Sequence, residues 1–450
     1  MSHALTRGLA AFVSRLSYAD LPPAAVAVAR KGYTDCVGVM LAGANDRAPQ
    51  ILKAVLSPRG GAATLLFGPD RAPGPDAAWI NGTAAHAYDF DDVALKGHPS
   101  AVLVPAILAE AQGIGASGKE MIAAYAAGYE TWAELVRRDA EQHQRKGWHP
   151  TGIFGAVAAA AACASLRKLD PAQCATALAL GASQAGGLIA NFGTMTKPFH
   201  AGRAAHAGAL SARLAQAGYT ASDDALEHAP GFLAAVSPGG RIDLDSPLEA
   251  GVQWKLATIG LDFKKYPLCF AVHTFLDGML DLVTQHDLRA DDVERIDTFI
   301  RRRHAIVLRY ARPQTALEAK FSMPFAIACA LIMRRVGLTE LDDVFVRRYD
   351  VQALMQRVFM TPDEREAIPP PPGAFHDRVV VTLRDGRRLD SGAILKARGT
   401  HDLPLSAAEL WTKFESCAQA GGATVPARAL FDALMSLDAL SSVRDIPGLA

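Results

Sequence analysis

Residues 1–215 keep producing runs with helical apolar spacing, rich in Ala and Leu, split by short Gly, Pro or Asp punctuation and almost free of strand-like alternation. Two of these runs, residues 153–164 and 175–188, are apolar on every face, so they belong at the centre of a bundle or in a subunit interface. Their Ala and Gly content lets neighbouring backbones approach closely. The first half of the chain is therefore expected to be all-helical. Its most apolar segments, 102–111 and 152–166, fall short of the roughly 20 residues a membrane span needs and read as buried core helices.

Between about 219 and 260 the density of Gly, Pro, Asp and Ser rises, which marks a connecting region, and a boundary falls near Phe263. Beyond it the pattern predicts a helix over 272–284, a strand over 293–300 and a hairpin in which 378–383 and 388–394 flank Asp385-Gly386. The four prolines 369–372 predict a stiff extended connector ahead of that hairpin. Past Gly399 the pattern is helical again and is expected to return to the first domain. The fold class is thus mainly α: a large all-helical domain (1–262 and 400–450) and a smaller α+β domain (263–399).

A chain of 450 residues is long enough to bury a large core without a metal or disulfide staple. Lys plus Arg and Asp plus Glu each number 46, which argues against nucleic acid or an anionic membrane as main partner; anion recognition must be local. The six cysteines are scattered, form no CxxC pair and mostly sit in apolar helical runs, as reduced thiols in a reducing compartment do. Arg7 and Arg15 interrupt any N-terminal apolar run, so no secretory signal is expected and the cytoplasm is the expected location. Gly113-Ile114-Gly115-Ala116-Ser117-Gly118 has the spacing of a dinucleotide fingerprint, but that motif needs a preceding strand. Here an apolar helix precedes it, and Ser117 with Glu120 reads as a capping box.

Four segments place a titratable residue just before a predicted helix. They are Asp89-Phe90-Asp91-Asp92 with His98-Pro99-Ser100, Lys146-Gly147-Trp148-His149-Pro150-Thr151, Asn191 through Thr196-Lys197-Pro198, and Lys264-Lys265-Tyr266-Pro267 with Cys269 and His273. Ser100 and Thr151 are the expected caps, and the third helix is expected to begin near His200. Helix N-termini offer free N–H groups and partial positive charge, so several of them converging on a cleft suit a substrate with two or three carboxylates. Imidazoles and a lysine can then remove a proton next to a carboxylate and stabilise the charge that develops. His86, His200 and His206 lie inside regular helical runs and read as structural. The acidic cluster Asp89, Asp91 and Asp92 reads as capping or as orienting a nearby His rather than as a magnesium site, and no zinc pattern is present.

At these residues, and at Asn81-Gly82 with His86 and Glu318-Ala319-Lys320-Phe321-Ser322, the chain resembles the MmgE/PrpD family almost end to end. That family includes 2-methylcitrate dehydratase, cis-aconitate decarboxylase and iminodisuccinate epimerase. The resemblance implies a homodimer with the active site between a helical domain and a smaller lid, and no cofactor. It implies His98, His149, Lys197 and His273 as catalytic residues, with Asp89, Lys264 and Thr196 binding substrate and no metal ligands. Where decarboxylating members carry a Thr after the Asp pair this chain has Val93, and where they carry a Tyr downstream of Glu318 it has Phe325. Both changes remove a hydroxyl and put decarboxylation last among the three activities.

The expected function is a lyase that adds or removes water on a small di- or tricarboxylate such as 2-methylcitrate. The close alternative is an isomerase that epimerises an iminodisuccinate-like substrate with the same groups. A helical dimer that only binds carboxylates would show gaps in the constellation, yet all four proton-transfer candidates are present.

Overall fold

Proline at the first helical position and polar side chains just ahead of it start most of the helices, as their fixed φ and free acceptors favour. The chain, described here by a computed structural model over residues 4–363 and 376–449, opens with α1 (Leu5–Arg15), α2 (Pro23–Gly43), α3 (Gly74–Ala85) and α4 (Pro99–Ile114). There follow α5 (Gly118–Arg138), α6 (Pro150–Leu166), α7 (Pro171–Ser183) and α8 (Thr196–Gln216). Gly115, at φ 69°, ends α4, and the Ser117–Glu120 capping box starts α5. The glycine run is therefore helix punctuation.

The Ala-rich α6 is buried from Pro150 to Ala164. α8 is wedged between α6 and α3. A Cβ on Gly208 would come within 2.3 Å of the Ala159 Cβ, and one on Gly202 within 2.2 Å of the Trp79 carbonyl oxygen. These contacts bring the start of α8 beside the end of α3. The second all-apolar run behaves differently: α7 stops at Ser183, five residues earlier than the pattern suggested, and Leu188 is 49% exposed. Two helix starts also shift. His98 and His149 themselves occupy the N-cap positions of α4 and α6, so Ser100 and Thr151 fall inside the first turn and cap nothing. α8 begins at Thr196 rather than near His200, which puts Lys197 in its first turn.

The smaller domain holds α9 (His273–His286), β1 (Val293–Arg301), α10 (Met323–Met333), β2 (Val358–Asp363), β3 (Arg378–Leu383) and β4 (Arg388–Asp390). Sheet order is β2-β1-β3-β4, parallel between β1 and β2 and antiparallel elsewhere. Val293, Ile296, Ile300, Val379, Val381 and Leu383 share a core with α9 and α10, the register slipping between Val293 and Arg295. The hairpin turns at Gly386, φ 86°, as Asp-Gly leads one to expect. The prolines 369–372 lie outside the described residues.

Two cores result. One runs from Leu5 to Phe263 and takes in the chain again from Leu405 to Leu449, where α11 (Ala407–Ala420) and α12 (Ala427–Met435) pack; the other spans Tyr266 to Leu383. Among the described residues, no helix is long and apolar enough to cross a membrane.

Candidate active site

The loop between α3 and α4 meets the start of α8 where the two cores adjoin, and three buried lysines from outside the loop hold its carbonyl oxygens. Lys320 donates to Ala87 O at 2.6 Å, Lys264 to Asp89 O at 2.6 Å and Lys413 to Phe90 O at 2.8 Å. Lys320 lies within the second core's stretch of chain and Lys264 at the junction of the two cores, so the packing of the cores fixes the loop's path. Asp89 sits at φ 50°, a left-handed conformation for a residue with a Cβ.

Lys197 is the centre of the cluster. Its ammonium donates to Nε2 of His86 and to Oδ1 of Asp89, both at 2.8 Å, and Lys264 reaches the same Asp89 oxygen at 2.8 Å. Burial alone would raise the Asp89 carboxyl, but the two ammonium groups outweigh it and hold it well below its ordinary value. The rings of Phe192 and Phe321 flank Lys197 at 5.3 and 5.5 Å from its nitrogen.

Asp91 sets the tautomer of His86 and the Asp92 carbonyl that of His98. Oδ1 of Asp91 lies 2.8 Å from Nδ1 of His86, and its Oδ2 lies 3.0 Å from Nδ1 of His98, which is also 3.0 Å from the Asp92 carbonyl oxygen. Both imidazoles therefore carry their proton on Nδ1, an assignment made from the network. That leaves Nε2 of His86 to accept from Lys197 and Nε2 of His98 as a free base, 3.8 Å from Asp89. Burial pushes His86 down to about 3 and also lowers His98. Asp92 moves the other way: buried, accepting only the Ser100 N–H at 3.2 Å, its carboxyl is pushed well up.

His149 lies 6.0 Å from His86 and 6.3 Å from His98, ring centre to ring centre, and its Nδ1 is 3.1 Å from Nδ1 of His200. Burial, reinforced by Lys197, holds His149 well below its ordinary value, and burial takes His200 to about 4. His273 stands apart. It donates Nε2–H to Leu268 O at 3.2 Å, leaves Nδ1 buried without a partner and is pushed down to about 3 by burial. It is linked to the others through the charges of Lys264 and Asp89 rather than by contact.

The structure thus brings His98, His149, Lys197, Asp89 and Lys264 together and adds His86, His200 and Asp91. The sequence pattern places His86 and His200 inside helical runs; the signal for His86 is its distance from Lys197 across helices, which no local pattern encodes, whereas His200 follows Lys197 on α8 itself. Thr196 is half-buried, and its only described hydrogen bond uses its backbone N–H, donated to Thr194 Oγ1 at 3.2 Å. Phe325 is fully buried in the smaller domain's core, edge-on to Phe345.

Two ligand sets, His86 with His98 and His149, and His86 with Asp89, Asp91 and His98, have donor atoms close enough for a metal ion. The Lys197 ammonium already bonds to a member of each and supplies the cation there. The cluster is nearly closed, with the His98 side chain 12% exposed and those of Lys197 and Asp89 4%.

Fold and site together define a two-domain, mainly helical protein built around a buried centre of neutral imidazoles, paired ammonium groups and carboxylates, equipped to move protons. A family model described as the MmgE/PrpD N-terminal domain matches residues 7–245, and one described as the MmgE/PrpD C-terminal domain matches 266–438. The chain belongs to the MmgE/PrpD family. It is similar to cis-aconitate decarboxylase of Mus musculus, 30% identical over 342 residues covering 72% of this chain and 68% of the relative. The enzyme of that name from Homo sapiens is 29% identical over 342 residues, covering 72% and 69%. That from Aspergillus terreus is 25% identical over 474 residues, covering 98% and 94%.

Proposed function

We propose that the chain is a lyase acting on a small di- or tricarboxylate, with proton transfer at a carbon next to a carboxylate as its central step. The observation that carries this is the Lys197 ammonium, held by His86 and Asp89 within a group of buried neutral imidazoles. Lys197 and Lys264 supply the positive charge that a substrate carboxylate needs as electrons flow onto it. His98, whose Nε2 is free, acts as base, and His149 with His200 behind it takes or returns a proton. The nearly dry surroundings strengthen each of these interactions.

Two bond cleavages are compatible with this centre: loss or addition of water on a 2-methylcitrate-like substrate, and loss of carbon dioxide from a cis-aconitate-like one. The ranking of decarboxylation last rested on Val93 and Phe325. Phe325 lies in the smaller domain's core, packed on Phe345, which weakens that argument. The relatives' names favour cis-aconitate as a substrate to test beside 2-methylcitrate. Epimerisation of iminodisuccinate would use the same groups on opposite faces of one carbon.

Proton NMR in deuterated water separates these reactions, with 2-methylcitrate, citrate, cis-aconitate and fresh iminodisuccinate each incubated with the enzyme and with Lys197→Ala. A new alkene or its hydrate, or loss of a carboxyl group, absent in the variant, supports the lyase. Deuterium at an α-carbon of an unchanged skeleton replaces it with an epimerase. Silence across the panel removes these substrates from the proposal.

A further inference from the structure

We infer that Lys96 is the positioning residue for His98: its ammonium, seated on the segment that leads to His149, holds the strained turn from which His98 projects. Ala94 and Gly97 exchange both backbone hydrogen bonds, at 3.1 and 2.8 Å, and close a two-residue turn. The residues between them are Leu95 at φ 50° and Lys96 at φ 65°. Turns with both central residues at positive φ normally take Asn-Gly, because a Cβ resists that conformation. Leu-Lys does not encode it, so the surroundings must impose it.

The surroundings are specific. Lys96 Nζ donates to the carbonyl oxygens of Glu141 at 2.7 Å and Asp139 at 3.3 Å, and the Trp132 indole N–H donates to Leu95 O at 3.2 Å. Gly97 fits because a Cβ there would meet the Trp132 ring at 2.7 Å and Thr151 Oγ1 at 3.1 Å. Half-buried, Lys96 is anchored beside the Asp139–His143 pair, whose Nε2–Oδ2 separation is 3.2 Å. From there the chain runs through Trp148, whose N–H donates to His143 O at 3.1 Å, directly to His149. One ammonium thus ties the turn two residues before His98 to the strip that ends at His149. It touches none of the imidazoles of the cluster; it acts through the backbone.

The inference rests on His98 being part of the proton-transfer centre, so its test reads geometry and turnover separately. Histidine labelled with ¹³C at Cε1 gives NMR signals in the wild type, in Lys96→Ala, in the double variant Leu95→Asn/Lys96→Gly, and in His98→Ala for assignment. Turnover is measured on whichever panel substrate reacts. In Lys96→Ala the His98 signal is expected to shift or broaden and kcat to fall roughly 10- to 100-fold, as a misplacement of about 1 Å produces, with KM little changed. Asn-Gly encodes the turn without the tether, so the double variant is expected to restore both. A wild-type His98 signal and kcat in Lys96→Ala would overturn the inference, as would a double variant as impaired as the single one. Should no panel substrate react with the wild type, the functional reading fails on its own and the NMR comparison still decides the role of Lys96.

Discussion

Lys197 and Lys264 place their ammonium groups 2.8 Å from the same oxygen, Oδ1 of Asp89, although one lies on α8 and the other in the short stretch that joins the two cores. Asp89 is therefore the counter-charge of the centre and ties α8 to the junction of the two cores. Asp89→Asn leaves two buried ammonium groups facing an amide. Breaking a buried pair by removing one partner costs about 3–5 kcal/mol, and a loss of that size is expected in urea unfolding, together with loss of turnover. Unchanged stability would mean that water already screens the site.

Lys197→Ala is expected to lower kcat by roughly 10²- to 10⁴-fold, the usual worth of a positioned proton-transfer group. Lys197 lies in the first turn of α8 rather than ahead of it. Its side chain is 4% exposed, so a stability loss of about 1–3 kcal/mol is expected as well, the penalty for orphaning buried acceptors. Lys197→Met, which fills the same space, should recover part of the stability and none of the turnover. His86→Ala, which removes the imidazole that accepts from Lys197, is expected to impair turnover by a similar factor in the same assay. Wild-type rates in either residue's variants would dissolve the centre as described.

Local spacing made the helical half legible, along with the capping box at Ser117, the Asp385-Gly386 turn and the four segments that carry His98, His149, Lys197 and Lys264. Those features depend on neighbours a few residues apart. His86 belongs to the centre only because Gly202 lets α8 lie against α3 and brings Lys197 111 residues back to it. His200 is one helical turn past Lys197, so its side chain faces the same side of α8, a periodicity that could have flagged it. The caps were misplaced because Pro99 and Pro150 start their helices one residue after each His, so that His98 and His149 take the N-cap positions. Burial of Lys197, Lys264 and Lys320 runs against the usual exposure of lysine and follows only from tertiary packing.

Acid tolerance of the reaction follows from the imidazoles. Burial lowers His86 and His273 to about 3 and His200 to about 4, and His98 and His149 also titrate below their ordinary value. A base with a lowered pKa stays neutral at lower pH, so the acid limb of kcat/KM should lie below pH 6.5, the ordinary value of a histidine. The same shifts act on folding: the stability these imidazoles contribute is full above pH 6.5 and is lost as pH falls toward 3 to 4. Rates are therefore best read in short assays after dilution from neutral pH. An acid limb centred near 6.5 would show that the base is hydrated and not buried as described.

Glu130 provides a pH test away from the centre. It is 1% exposed on α5, accepts the backbone N–H groups of Lys255 at 3.0 Å and Leu256 at 2.8 Å, and burial pushes its carboxyl up to about 7. The two backbone bonds oppose that shift without cancelling it. With a folded pKa above the unfolded one, the folded state binds the proton more tightly. The stability it contributes is fully present below about 4.5 and is lost as pH rises through 7. Glu130→Gln cannot ionise, so its unfolding free energy relative to wild type should improve by about 2–3 kcal/mol between pH 4.5 and 8, close to the 1.36 kcal/mol per unit that such a shift is worth. Urea titrations of both proteins at the two pH values give that difference, with other ionisable groups cancelling between them. A difference that stays constant with pH would mean that Glu130 is ionised in the folded protein, with the Lys255 and Leu256 N–H groups strong enough to hold a buried charge.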